Sequence, residues 1–219
     1  MDRKGICILA AILIGAVGCA PKANAPEDVA AIKAMATAWG QAQTAGDAAT
    51  LSAQYADDAV RLDPNASMLR TAIRKKHARR TRCSVEFVRA VGEFMPFRDR
   101  TFEYETVGLA LRNFGDKSSV FSEAHRTLTN SGWLLSVDFV IPDNWLIRKV
   151  YMFHVFNVLP TLGRLVSDSW RRTLAYLAKS IQLSAPPTET CRMLSRHGFR
   201  RTFSEKITLG VVALVGGQK

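Results

Sequence analysis

The chain is short of acid. Its 219 residues carry 30 Lys and Arg against 19 Asp and Glu, a net charge of +11 at pH 7. That excess admits an acidic partner (nucleic acid, an anionic membrane surface or a phosphorylated ligand) without choosing among them. Much of it sits in Arg70–Arg82 and Arg192–Arg201. Each stretch reads first as the solvated face of a helix, so nucleic acid is not favoured. Cysteine is scarce too. Cys7, Cys19, Cys83 and Cys191 show no metal-ligand spacing, which argues against a disulfide framework and against zinc or iron–sulfur sites. The apolar run Ile6–Val17 is too short to span a bilayer comfortably as a helix. No repeat or low-complexity tract is present. With 47% hydrophobic residues the length suffices for one domain with a real core, or for two small ones, and argues against wholesale disorder.

What is there begins with "MDRKGICILAAILIGAVGCAPKANAPED". Arg3 and Lys4, the apolar run and the small residues before Cys19 follow the order of a secretory signal. Gly18-Cys19 resembles the lipobox of bacterial lipoproteins, whose cysteine is lipidated and becomes the first mature residue; Ala16 stands where Leu is usual. After an Ala/Pro linker, Glu27–Ala45 reads as a helix with Val29, Ile32, Met35, Ala36 and Trp39 near one face. "TAGD" breaks it, and a short helix Ala48–Tyr55 ends in "YADDAV". This segment is similar to the start of SnoaL-like domains, over Asp28 to about Asn65. The expected organisation is a signal over 1–19, a helical SnoaL-like fragment over 20–59 and a further domain over 60–219.

From Val60 strands and helices alternate. "VRLDPNASMLRTAIRKK" reads as a strand end, a tight turn and an amphipathic helix with Met68, Leu69, Ala72 and Ile73 on one face. Asp63, at the strand tip, has two readings: a cap for the helix, or a carboxylate placed to hold the ribose of a nucleotide cofactor. Strands are expected at Val85–Ala90, Phe102–Leu111 and Trp133–Phe139, with a helix capped by Asp116 running through Leu128. The apolar stretch Trp145–Val166 is helical and interrupted at Pro160. Helices Trp170–Leu183 and Glu189–His197 follow, then β-runs Phe199–Ile207 and Thr208–Val215. This order predicts an α/β sheet with helices on both faces.

Read together, "DPNASML", "VEFVRAVGEFMPFRDRTFEYETV", "LALRNFGDK", "LLSVDFVIP", "VLPTLGRLVSD", "YLAKSIQ", "HGF" and "TLGVVALVGGQK" resemble the ubiquinone/menaquinone biosynthesis C-methyltransferases, from about Val60 to Lys219. The resemblance implies a class I, Rossmann-like methyltransferase with S-adenosylmethionine as cofactor and a prenylated demethyl quinol as substrate. Asp63 falls on the acidic residue that binds the cofactor's ribose. Val91 and Gly92 fall at the adenine contact, though Val91 cannot make the side-chain hydrogen bond the family uses. Gly108 falls near the cofactor, where the family often has Ser. Arg112 and Asn113 are expected at the active-site mouth, orienting the quinol head group. Tyr151 and His154 are candidates for base or proton relay, or residues of a helical lid with ordinary hydrogen bonds.

The departures are as specific. The family's first strand and its Gly-rich loop, which lets the backbone approach the cofactor's methionine end, have no counterpart. "TNSG" replaces the Pro-Gly-Gly turn usual before strand five, and Lys179 stands where the family carries Glu. Because a class I sheet runs 3-2-1-4-5-7-6, strands two and four are expected to lose their shared neighbour. Alternatives to an impaired methyltransferase are a lipid-anchored SnoaL-like binding module and a non-functional fusion. An enzyme is expected at the cytoplasmic face of the membrane, where association with the surface suits the substrate; a used signal makes the chain a membrane lipoprotein.

Overall fold

The structure, a computed structural model, describes residues 60–79 and 86–219 together with the backbone of Leu13–Ile14; of residues 75–79 it describes the backbone alone. The lipobox, the expected helices over 27–55, Cys83 and most of the SnoaL-like start lie outside the described residues.

Two sheets form. The larger has β1 (Leu13–Ile14), β4 (Phe102–Gly108), β5 (Leu128–Phe139), β7 (Val212–Gln218) and β6 (Arg200–Ile207) in that order. The smaller pairs β2 (Val60–Leu62) with β3 (Glu86–Val88) in parallel. Strand β4 runs parallel to β5, and β7 runs antiparallel to both β5 and β6. Among the described residues this is the expected order without its first strand. Among the described residues β2 does not meet β4. The far edge of β4 is instead paired antiparallel by Leu13–Ile14, two residues of the apolar signal-like run, opposite Gly108 and Val107.

Helix α1 (Ala66–Arg79) links β2 to β3, and α2 (Lys117–Thr127) links β4 to β5. Asp116 caps α2 as expected, its Oδ1 accepting the Ser118 and Ser119 amides. Between β5 and β6 lie α3 (Trp145–Phe153), a π-helical segment (His154–Val158), α4 (Leu159–Val166), α5 (Asp168–Gln182) and α6 (Pro187–Arg196). The wide turn precedes Pro160, which offers no N–H to the carbonyl four residues back and whose ring crowds it. Ser167 then separates α4 from α5, its hydroxyl accepting the Trp170 amide.

The main core lies between the sheet and helices α2 and α6, where Phe121, Ala124, Leu128, Leu134, Leu194, Phe199 and Val215 are buried. The other face of the sheet carries Trp133, Leu135 and Leu214, against which Tyr104, Val137 and Phe203 pack. Gly216 is required there: a Cβ would stand 2.5 Å from the Phe203 ring. Several strand limits differ from expectation: β3 is shorter than Val85–Ala90, and the last run, expected over Thr208–Val215, is a 3-10 turn at Thr208–Gly210 followed by β7. Strand β4 stops at Gly108, because Leu109 turns into the left-handed region (φ 55). Strand β5 starts at Leu128, and "TNSG" is a bulge inside it, since Phe102 pairs with Leu128 but Tyr104 with Trp133.

Candidate functional site

Parallel strands bring their carboxyl ends to one edge, and the loops leaving that edge carry the candidate residues. Asp63 follows β2 and is 3% exposed. Its amide donates to Val88 O (3.2 Å), which fastens it beside the end of β3. Its Oδ1 accepts the Asn65 amide at 2.8 Å, and Arg61 Nη2 lies 3.9 Å from Oδ2. The cap of α1 is Asn65, whose Oδ1 accepts from the Ser67 and Met68 amides. Asp63 therefore shapes the turn and does not cap the helix. A carboxylate has about four lone-pair sites, so the turn leaves it capacity for ribose hydroxyls.

Val91 and Gly92 follow β3. The Val91 side chain is exposed and its carbonyl accepts the Phe94 amide (3.2 Å), closing a tight turn. Gly92 is buried under Phe114, where a Cβ would lie 2.9 Å from the ring. It joins the small sheet to the loop after β4, a packing role that needs no cofactor. Gly108 ends β4 opposite Val137.

Arg112 does not stand at a mouth. Its side chain is 5% exposed, and it forms a buried ion pair with Asp138 at the end of β5. The Arg112 backbone amide donates to the other Asp138 oxygen (2.9 Å), Nη1 to Leu109 O (2.7 Å) and Nε to Ser180 Oγ (3.0 Å). The guanidinium also lies 5.5 Å from the Phe139 ring centre. Arg112 thus ties the strained exit of β4, the end of β5 and helix α5 together. The reason is electrostatic: a buried carboxylate at a strand end is matched by a buried cation, one oxygen taken by the guanidinium and the other by the Arg112 backbone amide. Asp138 is the residue that sequence reasoning missed, although "SVDFV" marked it as an acid in an apolar strand. Beside the pair lies a cavity of about 20 Å³, lined among others by Ser136, Lys117 and Ser184, with room for one water and none for a nucleoside.

Asn113, next along, is exposed and accepts from the Tyr176 hydroxyl (3.2 Å). Tyr151 points inward among Phe139, Ile141 and Leu177. Burial pushes its phenol up to about 12, Arg112 pulling it down and Asp138 pushing it up. Its hydroxyl has no hydrogen-bond partner among the described residues. His154, one turn on, is exposed. The structure brings Tyr151 to Arg112 and Asp138, leaves His154 outside that cluster, and sets Asp63, Val91 and Gly92 together at the neighbouring corner.

The ubiE/COQ5 methyltransferase family model matches residues 24–219. The chain belongs to the ubiE/COQ5 methyltransferase family. The match begins upstream of Val60, where the resemblance read from the sequence starts. The chain is 38% identical over 161 residues to the ubiquinone/menaquinone biosynthesis C-methyltransferase UbiE of Marinomonas sp. (strain MWYL1), covering 72% of this chain and 62% of that protein. It is 35% identical to the UbiE of Teredinibacter turnerae, covering 80% of this chain and 72% of that one. It therefore spans less than two thirds of the first relative's length. A SAM-dependent methyltransferase from Thermotoga maritima superposes with a TM-score of 0.50 at 13% identity, over 73% of this chain and 72% of that one, a likeness of fold.

Proposed function

We propose that the chain binds S-adenosylmethionine and methylates a ring carbon of a prenylated demethyl quinol, with cofactor affinity reduced by the absence of the family's glycine-rich loop. The observation that carries this reading is Asp63, whose carboxylate is buried at the carboxyl end of a parallel strand and whose backbone amide donates to Val88 O at the next strand's end. That acceptor fits the hydroxyls of a ribose. The adenine side rests on backbone and packing at Val91 and Gly92, because Val91 offers no polar side chain.

When bound, the cofactor supplies an electrophilic methyl group. The protein's own part is to hold and orient. Arg112 positions α5 and the loop after β4 from beneath, while exposed Asn113 and Tyr176 form the polar rim for a head group. Tyr151, with a phenol that stays protonated to about pH 12, serves as a hydrogen-bond donor and not as a base. His154, exposed above it, is the proton acceptor in this reading. A prenylated substrate and a cytosolic cofactor together put the reaction at the cytoplasmic face of a membrane.

Calorimetric titration of the purified chain with S-adenosylmethionine tests the proposal. Binding that Asp63→Asn weakens by about tenfold or more supports it; no heat at millimolar cofactor overturns it. A second reading, a fusion that keeps the fold without catalysis, is favoured by one observation, the separation of β2 from β4 among the described residues. Mass spectrometry of the mature N-terminus distinguishes the locations, since lipidation at Cys19 places the chain away from its methyl donor.

A further inference from the structure

Helix α3, "WLIRKVYMF", contains no buried residue at all. An apolar helix ordinarily turns its apolar stripe inward. Here Tyr151 is on the inner side, while Trp145 (72% exposed), Leu146, Val150 and Phe153 share the outer side. The chain continues through the π segment in helical conformation into α4, where Leu162, Leu165 (81% exposed) and Val166 again face outward. The inner side of α4 is fixed by Gly163, whose missing Cβ lets α5 approach: an added carbon would lie 2.9 Å from Leu174 and 3.1 Å from the Arg171 backbone. The outward placement is therefore set by packing beneath it. This is a larger run of exposed apolar side chains than single scattered surface residues require.

The charges around it have one sign. Trp145–Leu183 carries Arg148, Lys149, Arg164, Arg171, Arg172 and Lys179 against one acid, Asp168. Asp168 is paired with Arg171, and Arg148 is tied to the Pro142 and Asp143 carbonyls. Lys149, Arg164, Arg172 and Lys179 are exposed and have no acidic partner among the described residues. Lys149 lies within the apolar stripe of α3. Arg172, Tyr176 and Lys179 follow one face of α5 at helical spacing, and Leu183 continues that line just past the helix's end. Aromatic and aliphatic side chains interleaved with unpaired cations suit the boundary between acyl chains and anionic headgroups. A second copy of this chain suits it poorly, because a two-fold pairing of the face sets each unpaired cation against cations.

We propose that the outer face of α3, α4 and α5 is a docking surface for an anionic lipid bilayer. The proposal deepens the reading of a membrane-borne quinol substrate and rests on it for its purpose. Its test does not depend on the cofactor. The full chain is floated with vesicles of phosphatidylcholine containing a minority of phosphatidylglycerol, and with phosphatidylcholine alone. The variants are Lys149→Glu/Arg172→Glu, which removes cations, and Phe153→Ser/Leu165→Ser, which removes apolar anchors. All four side chains are exposed, and circular dichroism checks that each variant folds.

The expected result is flotation with the anionic vesicles that falls by about tenfold or more in each variant and with added salt. Because Ile6–Val17 is itself apolar, equal flotation of wild type and variants, with either lipid, assigns binding to the N-terminus and overturns the proposal. So does no flotation of the wild type. A dimer by sedimentation that Phe153→Ser/Leu165→Ser dissolves, without vesicle binding, makes a second copy the occupant and also overturns it. Calorimetry with S-adenosylmethionine on the same proteins is read separately: a chain that floats as expected yet binds no cofactor loses the enzyme reading and keeps the surface.

Discussion

The half of the fold built on β4, β5, β7 and β6 and the corner built on β2 and β3 are held by different means. In the larger half, β5 and β7 are paired from Trp133–Gln218 to Phe139–Val212, and helices α2 and α6 close a continuous core over them. The corner has three-residue strands and, among the described residues, no ladder to β4. It is fastened by side chains instead. Gly92 sits under Phe114, and Met95 donates its amide to Glu123 Oε2 (2.8 Å). Arg126 donates to the Phe97 carbonyl (2.8 Å), the Met95 carbonyl (3.0 Å) and Asp99 (2.8 Å). Where the family's first strand would tie the halves along its length, a glutamate and an arginine of α2 tie them at points. Three of the four candidate cofactor residues, Asp63, Val91 and Gly92, are in the weakly fastened corner; Gly108 and the buried ion pair are in the strong half.

The largest way to break the comparison is Arg112→Ala. It leaves Asp138 charged, buried and unpaired and releases Leu109 and Ser180. A loss of about 3–5 kcal/mol is expected in denaturant unfolding. A loss below about 1 kcal/mol returns Arg112 to the role of an unburied substrate-facing residue.

Glu105 gives the same half a pH dependence. It is 6% exposed on β4, accepts a hydrogen bond from the Thr127 hydroxyl, and is surrounded by Glu123, Arg126 and Lys219. Burial raises its carboxyl to about 8, against the partial opposition of Thr127, Arg126 and Lys219. A raised pKa means that the folded chain holds the proton more tightly. The stability this confers is complete below pH 4.5 and is lost as pH rises through about 8. Glu105→Gln keeps an acceptor for Thr127 and removes the titration. Melting curves are expected to diverge with rising pH, the variant becoming more stable by about 5 kcal/mol at pH 9. Parallel curves would leave Glu105 without the buried charge penalty assigned to it.

The joint between the two regions is tested by Arg126→Ala. Each lost hydrogen bond involves a charged group, but the side chain is about one third exposed, so the expected cost is about 2 kcal/mol. Hydrogen exchange is the sharper reading. Residues 94–101 should exchange faster while β5 and β7 stay protected. Uniform acceleration would mean that the halves unfold as one.

The strong half is also the legible one. Apolar β-runs near Phe102, Trp133 and Val212 and the Asp116 cap can be read directly, because periodicity and cap chemistry are local signals. Arg112 could not be read, since a cation in a loop looks the same whether it reaches solvent or an acid 26 residues away. Gly132 was legible as a break but not as part of a bulge, where an added Cβ would lie 3.0 Å from the Glu103 carbonyl. The apolar Trp145–Val166 suits an ordinary core as well as a prenyl site in sequence; only packing shows which side of α3 and α4 faces out.

Asp63 and Asn65 separate turn chemistry from ligand chemistry with the smallest expected effects. Both are capping residue types before a helix, and the sequence alone leaves Asp63 as cap or ribose ligand. In the structure the cap is Asn65, so Asn65→Ala should cost about 1 kcal/mol. Asp63→Asn retains an oxygen for the Asn65 amide and is expected to change stability by less than about 0.5 kcal/mol. The same substitution removes the negative charge beside Arg61 and half of the acceptor capacity a ribose would use. A large loss of stability in Asp63→Asn would make the carboxylate structural and leave the corner without its ligand. Unchanged stability with weakened S-adenosylmethionine binding would show a carboxylate kept buried for a partner that the turn itself does not need.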